Sequence, residues 1–103
     1  MAYFLGRLLT PRSTFPADIT DTEKKLMQEH VVYWSEFMEK GKVLALGPVA
    51  DPRGTWGLGL FEVADEAEIR ALTANDPVIK AGLGFVYDIL PMPRLTMHKS
   101  SIQ

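Results

Sequence analysis

Apolar and polar residues follow two different periods along the chain. Four short apolar runs, bounded by Gly, Pro or polar residues, predict β-strands at 2–9, 42–49, 56–63 and 84–92. Residues 21–40 instead repeat their apolar side chains every three to four positions, which is typical of an amphipathic helix. A second, shorter helical pattern follows the third run. The predicted order of elements is therefore β-α-β-β-α-β.

The residues at the ends of both helices support this order. Thr20 begins the motif TDTE, in which Thr20 is the N-cap and Glu23 reaches back to it, and Gly41 suits the position just past the first helix. Asp65 is a favoured N-cap for the second helix, which Pro77 interrupts. The residues after Pro77 are expected to form one further short turn of helix.

Two proline-containing segments fall outside this regular pattern. Residues 10–19, TPRSTFPADI, are predicted to be an irregular loop, and because a loop this long in a small domain is usually functional or disordered, we expect a mobile gate over a pocket. Pro91 and Pro93 are expected to stop the fourth strand. The chain is thereby divided into one domain at 1–92 and a polar tail at 93–103.

The predicted sheet has apolar residues on both of its faces. The element order is that of a ferredoxin-like α+β fold, a four-stranded antiparallel sheet whose helices cover one face. A strand with one solvent-exposed face alternates apolar with polar residues, whereas the segment 56–61, WGLGLF, has no charged or polar side chain in alternation. A second copy of the chain is the simplest cover for the other face. We therefore predict a homodimer or higher homo-oligomer, arranged as a dimeric α+β barrel.

Composition excludes several classes of function. With 47% hydrophobic and 23% charged residues the chain is of ordinary globular type, and a net charge of −2 gives no basic surface for nucleic acid or an anionic membrane. There is no cysteine, and the two histidines, His30 and His98, lack metal-site spacing, so no metal and no cofactor are expected. No run approaches the roughly 20 apolar residues of a membrane span. We expect a cytoplasmic protein.

His30 is unusual because of the helix face on which it lies. At ~100° per residue, one face of the first helix gathers Leu26, Met27, Val31, Tyr33, Trp34, Phe37 and Met38. His30 falls inside this apolar face. A lone histidine in such a place is more often a packed, hydrogen-bonded core residue than a catalyst. Likewise Asp76, considered alone, is most simply the N-cap of a short helix that begins at Pro77.

Together, His30 and Asp76 indicate more than either does alone. The first helix and the segment after the second helix lie on the same side of this fold, so the two side chains can meet. A carboxylate that accepts from one imidazole nitrogen fixes the tautomer and leaves the other nitrogen free to accept a proton. We predict an imidazole nitrogen of His30 within about 2.6–3.2 Å of an Asp76 oxygen.

Other candidate site residues surround this pair. Trp34, one helical turn after His30, is either core or pocket wall. Pro48 ends the second strand, where the backbone could approach a ligand. Tyr87 and Asp88 are neighbours on the fourth strand and therefore point to opposite faces, so we do not expect both to reach one pocket.

The chain resembles the YCII-related family. The residues that carry the resemblance occur in order over roughly residues 3 to 92: His30, Gly41, GPV at 47–49, DP at 76–77 and Gly82. The resemblance implies a ferredoxin-like subunit, a dimeric α+β barrel and an active site built on a His–Asp pair. The family's better-understood chemistry is lyase-like, the elimination of halide from a chlorinated hydroxyquinol-type ring.

One feature departs from the family pattern. Many members place an arginine a few positions before the histidine, where this chain has Gln28 and Glu29. An anionic substrate group held by such an arginine would need another partner here. Arg7 and Arg12 are the candidates.

The function predicted from the sequence is a cofactor-independent enzyme of lyase or isomerase type that acts on a small cyclic or aromatic molecule. His30 is the expected base and Asp76 orients it, with Trp34, Arg7 and Pro48 contacting the substrate. The alternative is a non-catalytic small-ligand binding or accessory protein with the same pocket. Haem or oxygen chemistry is a third possibility, and it requires a much larger cavity beside His30.

Overall fold

The structure, a computed structural model, describes residues 1–98 and has the predicted ferredoxin-like architecture. The elements are β1 (Ala2–Leu9), α1 (Asp21–Glu39), β2 (Val43–Val49), β3 (Trp56–Val63), α2 (Glu66–Ala74), α3 (Pro77–Lys80) and β4 (Val86–Met92). The four strands form one antiparallel sheet in the order β2-β3-β1-β4. The α+β prediction and the order of elements are thus confirmed.

All three helices pack on the same face of the sheet. Phe4 and Phe61, from the two central strands, share one buried cluster with Trp34 of α1 and Ile69 of α2. A second buried cluster joins Leu8 of β1 to Val78 of α3 and to Phe15 and Phe85. The core therefore lies between the helices and the sheet.

Two glycines allow the largest aromatic side chains to sit close to the sheet. Gly6 of β1 lies directly opposite Gly59 of β3. A Cβ atom at Gly6 would come within 2.7 Å of the Phe61 ring, and one at Gly59 within 2.5 Å. Because neither residue has a side chain, Phe61 lies over both glycines, where its ring centroid is 5.1 Å from that of Trp34.

The ends of α1 agree with the sequence. The Thr20 hydroxyl accepts from the Glu23 backbone N–H at 3.1 Å, and a Glu23 carboxylate oxygen accepts from the Thr20 N–H at 2.9 Å, which completes the capping box. Gly41 follows the C-cap with φ of 78°, a left-handed conformation that favours glycine.

Two predictions about proline-containing segments need correction. Pro91 lies within β4 instead of stopping it, because β4 is an edge strand and tolerates a residue with no N–H to donate. The 10–19 loop is packed and not a free gate: Phe15 is 6% exposed and contacts Phe85 edge-on. Arg12 ties the loop to α1 through paired bonds of 2.7 Å to the Glu23 carboxylate.

The sheet face away from the helices is uncovered in the single chain. Its side chains include Val86 and Leu90, which are 55% and 43% exposed. None of the helices among residues 1–98 has the length and apolar character needed to cross a membrane. The predicted polar tail at 93–103 extends beyond the described residues, and its positions 99–103 lie outside them.

Candidate active site

The main cavity lies between α1 and the sheet and has a volume of about 510 Å³. From α1 it is lined by Met27, His30, Val31, Ser35 and Met38. The sheet contributes residues 46–48 of β2, 56–59 and Phe61 of β3, Leu8 of β1 and Tyr87 of β4, with Phe15 and Phe85 closing one side. The volume is within the range of small-molecule sites.

His30 and Asp76 meet at one edge of this cavity. His30 Nδ1 lies 2.7 Å from Asp76 Oδ2, within the predicted distance. Asp76 is fully buried, whereas the His30 side chain retains 13% exposure and lines the cavity. Because a carboxylate can only accept, we assign the proton to Nδ1, which leaves Nε2 as the nitrogen available to a ligand.

Asp76 performs the helix-capping role as well. It is the N-cap of α3, and its Oδ1 accepts from the Val78 N–H at 3.0 Å. Pro77 at the first helical position fits this cap because it has no N–H to satisfy. The cap fixes the carboxylate group with Oδ1 turned towards α3 and leaves Oδ2 for His30. The structural and the chemical interpretation of Asp76 therefore use different oxygens of one carboxylate.

Oδ2 of Asp76 accepts from two further side chains. Trp34 Nε1, one helical turn after His30, donates to it at 2.7 Å, and the Tyr87 hydroxyl donates to it from β4 at 2.7 Å. Trp34 Nε1 is also 3.1 Å from the Tyr87 oxygen. Three donors from the helix and the sheet thus converge on one carboxylate oxygen.

These bonds keep Asp76 ionised in spite of its burial. Burial raises the pKa of the Asp76 carboxyl, but the hydrogen bonds from His30, Tyr87 and Trp34 outweigh it, so that the pKa lies below its ordinary value. Burial and the nearby Asp76 charge raise the pKa of the Tyr87 phenol far above its ordinary value. Asp76 is therefore a carboxylate and Tyr87 a neutral donor.

Tyr87, one of the two β4 residues considered from the sequence, contacts Asp76, and the sequence-based prediction did not assign this contact. Tyr87 pairs with Leu8 of β1, whose side chain belongs to the buried cluster under the helices, and Asp88 pairs with Arg7 on the other face. The expectation that only one of Tyr87 and Asp88 reaches the pocket agrees with this arrangement. The phenol of Tyr87 is the sequence feature that could have indicated this contact, since a buried hydroxyl among apolar neighbours needs a hydrogen-bond partner.

Of the remaining predicted site residues, some line the cavity and others do not. Pro48 lines the cavity, as expected. Trp34 is fully buried behind the wall, where it contacts Asp76, so its predicted role as a substrate contact needs correction. Arg7 also needs correction: by strand alternation it lies on the opposite face of β1 from Leu8, with its guanidinium 5.0 Å from the centre of the Trp56 ring. Arg12 is engaged by Glu23.

The cavity wall contains no Asp, Glu, Lys or Arg side chain within the described part of the chain. Its polar side chains are His30, Tyr87, Ser35, Trp56 and two threonines. The Ser35 hydroxyl donates within its own helix, to the Val31 carbonyl at 2.7 Å. Among residues 1–98, no three His, Asp or Glu side chains are grouped so that they could hold a metal ion.

Comparisons with known proteins agree with this architecture. One similar solved structure is 5-chloro-2-hydroxyhydroquinone dehydrochlorinase from Burkholderia phenoliruptrix AC1100 in complex with 2,5-dihydroxybenzoquinone. It aligns with a TM-score of 0.64 and 21% identity over 97% of this chain and 98% of that chain, a likeness that establishes the shared fold. A search of curated proteins finds no match. The sequence model of the YCII-related domain matches residues 6–93, and the chain therefore belongs to the YCII-related family.

Proposed function

We propose that the protein is a cofactor-independent enzyme of lyase type that removes a proton from a small cyclic or aromatic substrate. One observation carries the proposal: His30 faces a largely apolar cavity of about 510 Å³, while its Nδ1 lies 2.7 Å from the buried Asp76 carboxylate. A base held by a carboxylate in this way is the orienting arrangement of acid–base sites.

His30 supplies both proton-transfer steps in the proposed reaction. Nε2 takes a proton from the substrate, and the imidazolium that forms is stabilised by the Asp76 charge on Nδ1. If halide leaves the ring as the proton is lost, the elimination releases one proton and one halide ion. If no leaving group is present, His30 returns the proton at another position and the reaction is an isomerisation. Tyr87, the other ionisable side chain in the wall, already donates a hydrogen bond to Asp76.

The proposed substrate carries no permanent negative charge. A carboxylate or phosphate entering the cavity would lose its water shell without meeting a lysine or arginine in the described wall, which is unfavourable. A neutral ring with hydroxyl groups instead packs against Leu8, Met27 and Phe61 and offers an acidic proton to His30. The neighbour of known structure binds 2,5-dihydroxybenzoquinone, a ring of this kind.

Chloride release tests the proposal directly. The protein is given 5-chloro-2-hydroxyhydroquinone and a panel of unchlorinated and carboxylated hydroxyaromatic rings, and chloride and ring products are measured. We expect turnover of a neutral ring, its loss in His30→Ala, and its retention in Ser35→Ala. Ser35→Ala is a matched control because the residue lines the same cavity but bonds only to its own helix. Turnover that His30→Ala leaves unchanged would refute the role of His30.

A non-catalytic ligand-binding protein is the second candidate, and one observation favours it. Every bond that Asp76 makes also has a structural use, because its two oxygens join α1, α3 and β4. Under this alternative, 2,5-dihydroxybenzoquinone binds in the cavity and remains unchanged. His30→Ala and Asp76→Asn would then lower stability and leave binding largely intact.

The homodimer also belongs to the proposal. A second copy would cover the open sheet face, where Val86 and Leu90 are exposed and Arg7 Nε is buried without a hydrogen-bond partner among residues 1–98. Sedimentation at micromolar concentration is expected to give a dimer, and a stable monomer would contradict this. We propose a cytoplasmic location on the composition alone.

A further inference from the structure

We propose that Tyr87 is a positioning residue of this site: its phenol holds the Asp76 carboxylate from the sheet side and thereby keeps His30 with its proton on Nδ1 and Nε2 towards the cavity. The inference rests on the proposed function and deepens it, because it names what sets the state of the base. The observation behind it is the bond of 2.7 Å between the Tyr87 hydroxyl and Asp76 Oδ2.

The donors on Asp76 come from three directions. The Val78 N–H binds Oδ1 from α3, and Trp34 and His30 bind Oδ2 from α1. Tyr87 is the donor that the sheet supplies. Without the Tyr87 hydroxyl, the side-chain donors to Oδ2 are His30 and Trp34, which both belong to α1. The carboxylate is then no longer fixed relative to the sheet.

Most of the donors on Asp76 bind the oxygen that contacts His30. A carboxylate has about four acceptor sites, two on each oxygen. Here three side chains share Oδ2, while the cap of α3 uses Oδ1. This crowding falls on the oxygen that faces the imidazole. Removal of the Tyr87 donor therefore changes the surroundings of the same oxygen that holds the imidazole.

Tyr33 supplies a matched control in the same aromatic cluster. Its ring packs edge-on against Trp34 at a centroid distance of 5.0 Å, and both Tyr33 and Tyr87 pack against the buried cluster that contains Trp34. Its hydroxyl, however, donates to the Leu72 carbonyl at 2.6 Å and not to Asp76. Tyr33→Phe therefore removes a hydrogen-bonded phenol without touching the carboxylate, and Tyr87→Phe removes one that holds it.

Nitrogen chemical shifts of the imidazole test the proposal without any substrate. The chain has two histidines, so a His98→Gln background leaves His30 as the single imidazole in a ¹⁵N-labelled protein. At neutral pH we expect one tautomer with the proton on Nδ1, the same tautomer in Tyr33→Phe, and a mixture of both tautomers in Tyr87→Phe. An Nδ1–H tautomer that is equally pure in Tyr87→Phe and Tyr33→Phe would overturn the positioning role.

The unsubstituted chain provides a second measurement in case Tyr87→Phe does not fold. A Tyr87 hydroxyl proton protected from exchange, with a nuclear Overhauser effect to the Nδ1–H proton of His30, supports the proposal. A hydroxyl proton that exchanges too fast to be observed overturns it. Neither readout involves turnover. A protein that lacks lyase activity can therefore still pass this test, and an active one can fail it.

Discussion

Two buried carboxylates, Glu23 and Asp76, each join α1 to another segment of the chain, and their partners differ in kind. Glu23, in the first turn of α1, is 5% exposed and accepts two bonds of 2.7 Å from the Arg12 guanidinium. Asp76 is fully buried and accepts from an imidazole, an indole and a phenol. Glu23 thus faces a permanent cation, whereas Asp76 faces one only when His30 is protonated.

This difference separates a structural pair from the pair that we propose to be chemically poised. Arg12 stays charged at every accessible pH, so the Glu23 charge is balanced continuously and the pair fixes the 10–19 loop on α1. Hydrogen bonds from neutral donors stabilise the charge of Asp76, and the carboxylate gains a cationic partner when His30 takes up a second proton. The proposed reaction delivers a proton to His30 and would gain this pairing, whereas no such gain exists at Glu23.

The largest expected effect comes from removing the group that changes charge. His30→Ala leaves the cavity wall open and the Glu23 pair intact, and we expect turnover of a neutral hydroxyaromatic ring to fall by about 10²- to 10⁴-fold. Steady-state rates with purified protein measure this, with Ser35→Ala as the control. Equal rates for His30→Ala and Ser35→Ala would contradict a chemical role for His30, and the two carboxylate sites would then both be structural.

Asp76→Asn is expected to have the next largest effect on turnover. An amide can donate to His30 Nδ1 and so favour the wrong tautomer, and in a triad enzyme this change lowers kcat by about 10⁴-fold. Here we expect a loss of orders of magnitude, but a smaller loss than in His30→Ala, which removes the base itself. The fold should be retained, because the amide oxygen can still cap α3. Circular dichroism checks the fold and initial rates check the activity. Undiminished turnover would show that the contacts of Asp76 are structural.

Glu23→Gln should affect stability and leave turnover unchanged. Gln keeps the shape of the side chain and can still accept one bond, but the ion pair with Arg12 is lost. We expect a lower Tm with rates close to those of the unsubstituted protein. A fall in turnover as large as that of Asp76→Asn would show that the loop held by Arg12 takes part in the site.

Acid titration sharpens the same contrast. The Arg12 guanidinium and the Thr20 N–H lower the pKa of Glu23 from 4.5 to about 2. A carboxyl with a lowered pKa adds stability above its ordinary pKa, and this stability is lost as the pH falls towards about 2. Between these pH values, the Tm should therefore fall less steeply with decreasing pH in Glu23→Gln than in the unsubstituted protein. An unchanged slope would place the acid sensitivity at other carboxyls.

The two sites also differ in how far the sequence predicted them. The bonds between Thr20 and Glu23 follow from a local three-residue spacing, and the capping box was predictable from that spacing alone. The Arg12 pairing joins an irregular loop to a helix. No periodicity encodes such a contact, which is why the loop was expected to be mobile.

The contact between His30 and Asp76 was predictable because the topology brings two known elements to the same side of the sheet. Tyr87 was harder, since its role depends on the register of β4 against β1, which the sequence leaves open. Arg7 was assigned to the site by its charge, and strand alternation places it on the other face. Face assignment along strands was therefore the missing step in both cases.

The smallest expected effect belongs to Thr20→Ala, which weakens the Glu23 site without removing its charge. The substitution deletes the hydroxyl that accepts from the Glu23 N–H at 3.1 Å and leaves the Arg12 pair in place. Loss of an N-cap of this kind costs about 1 kcal/mol, which urea unfolding of the variant can measure. Turnover and the His30 tautomer should not change, because α1 is fixed independently at His30 and Trp34 by the bonds to Asp76. If Thr20→Ala altered the tautomer, the two carboxylates would be coupled through α1, and the separation between a structural and a chemically poised site would fail.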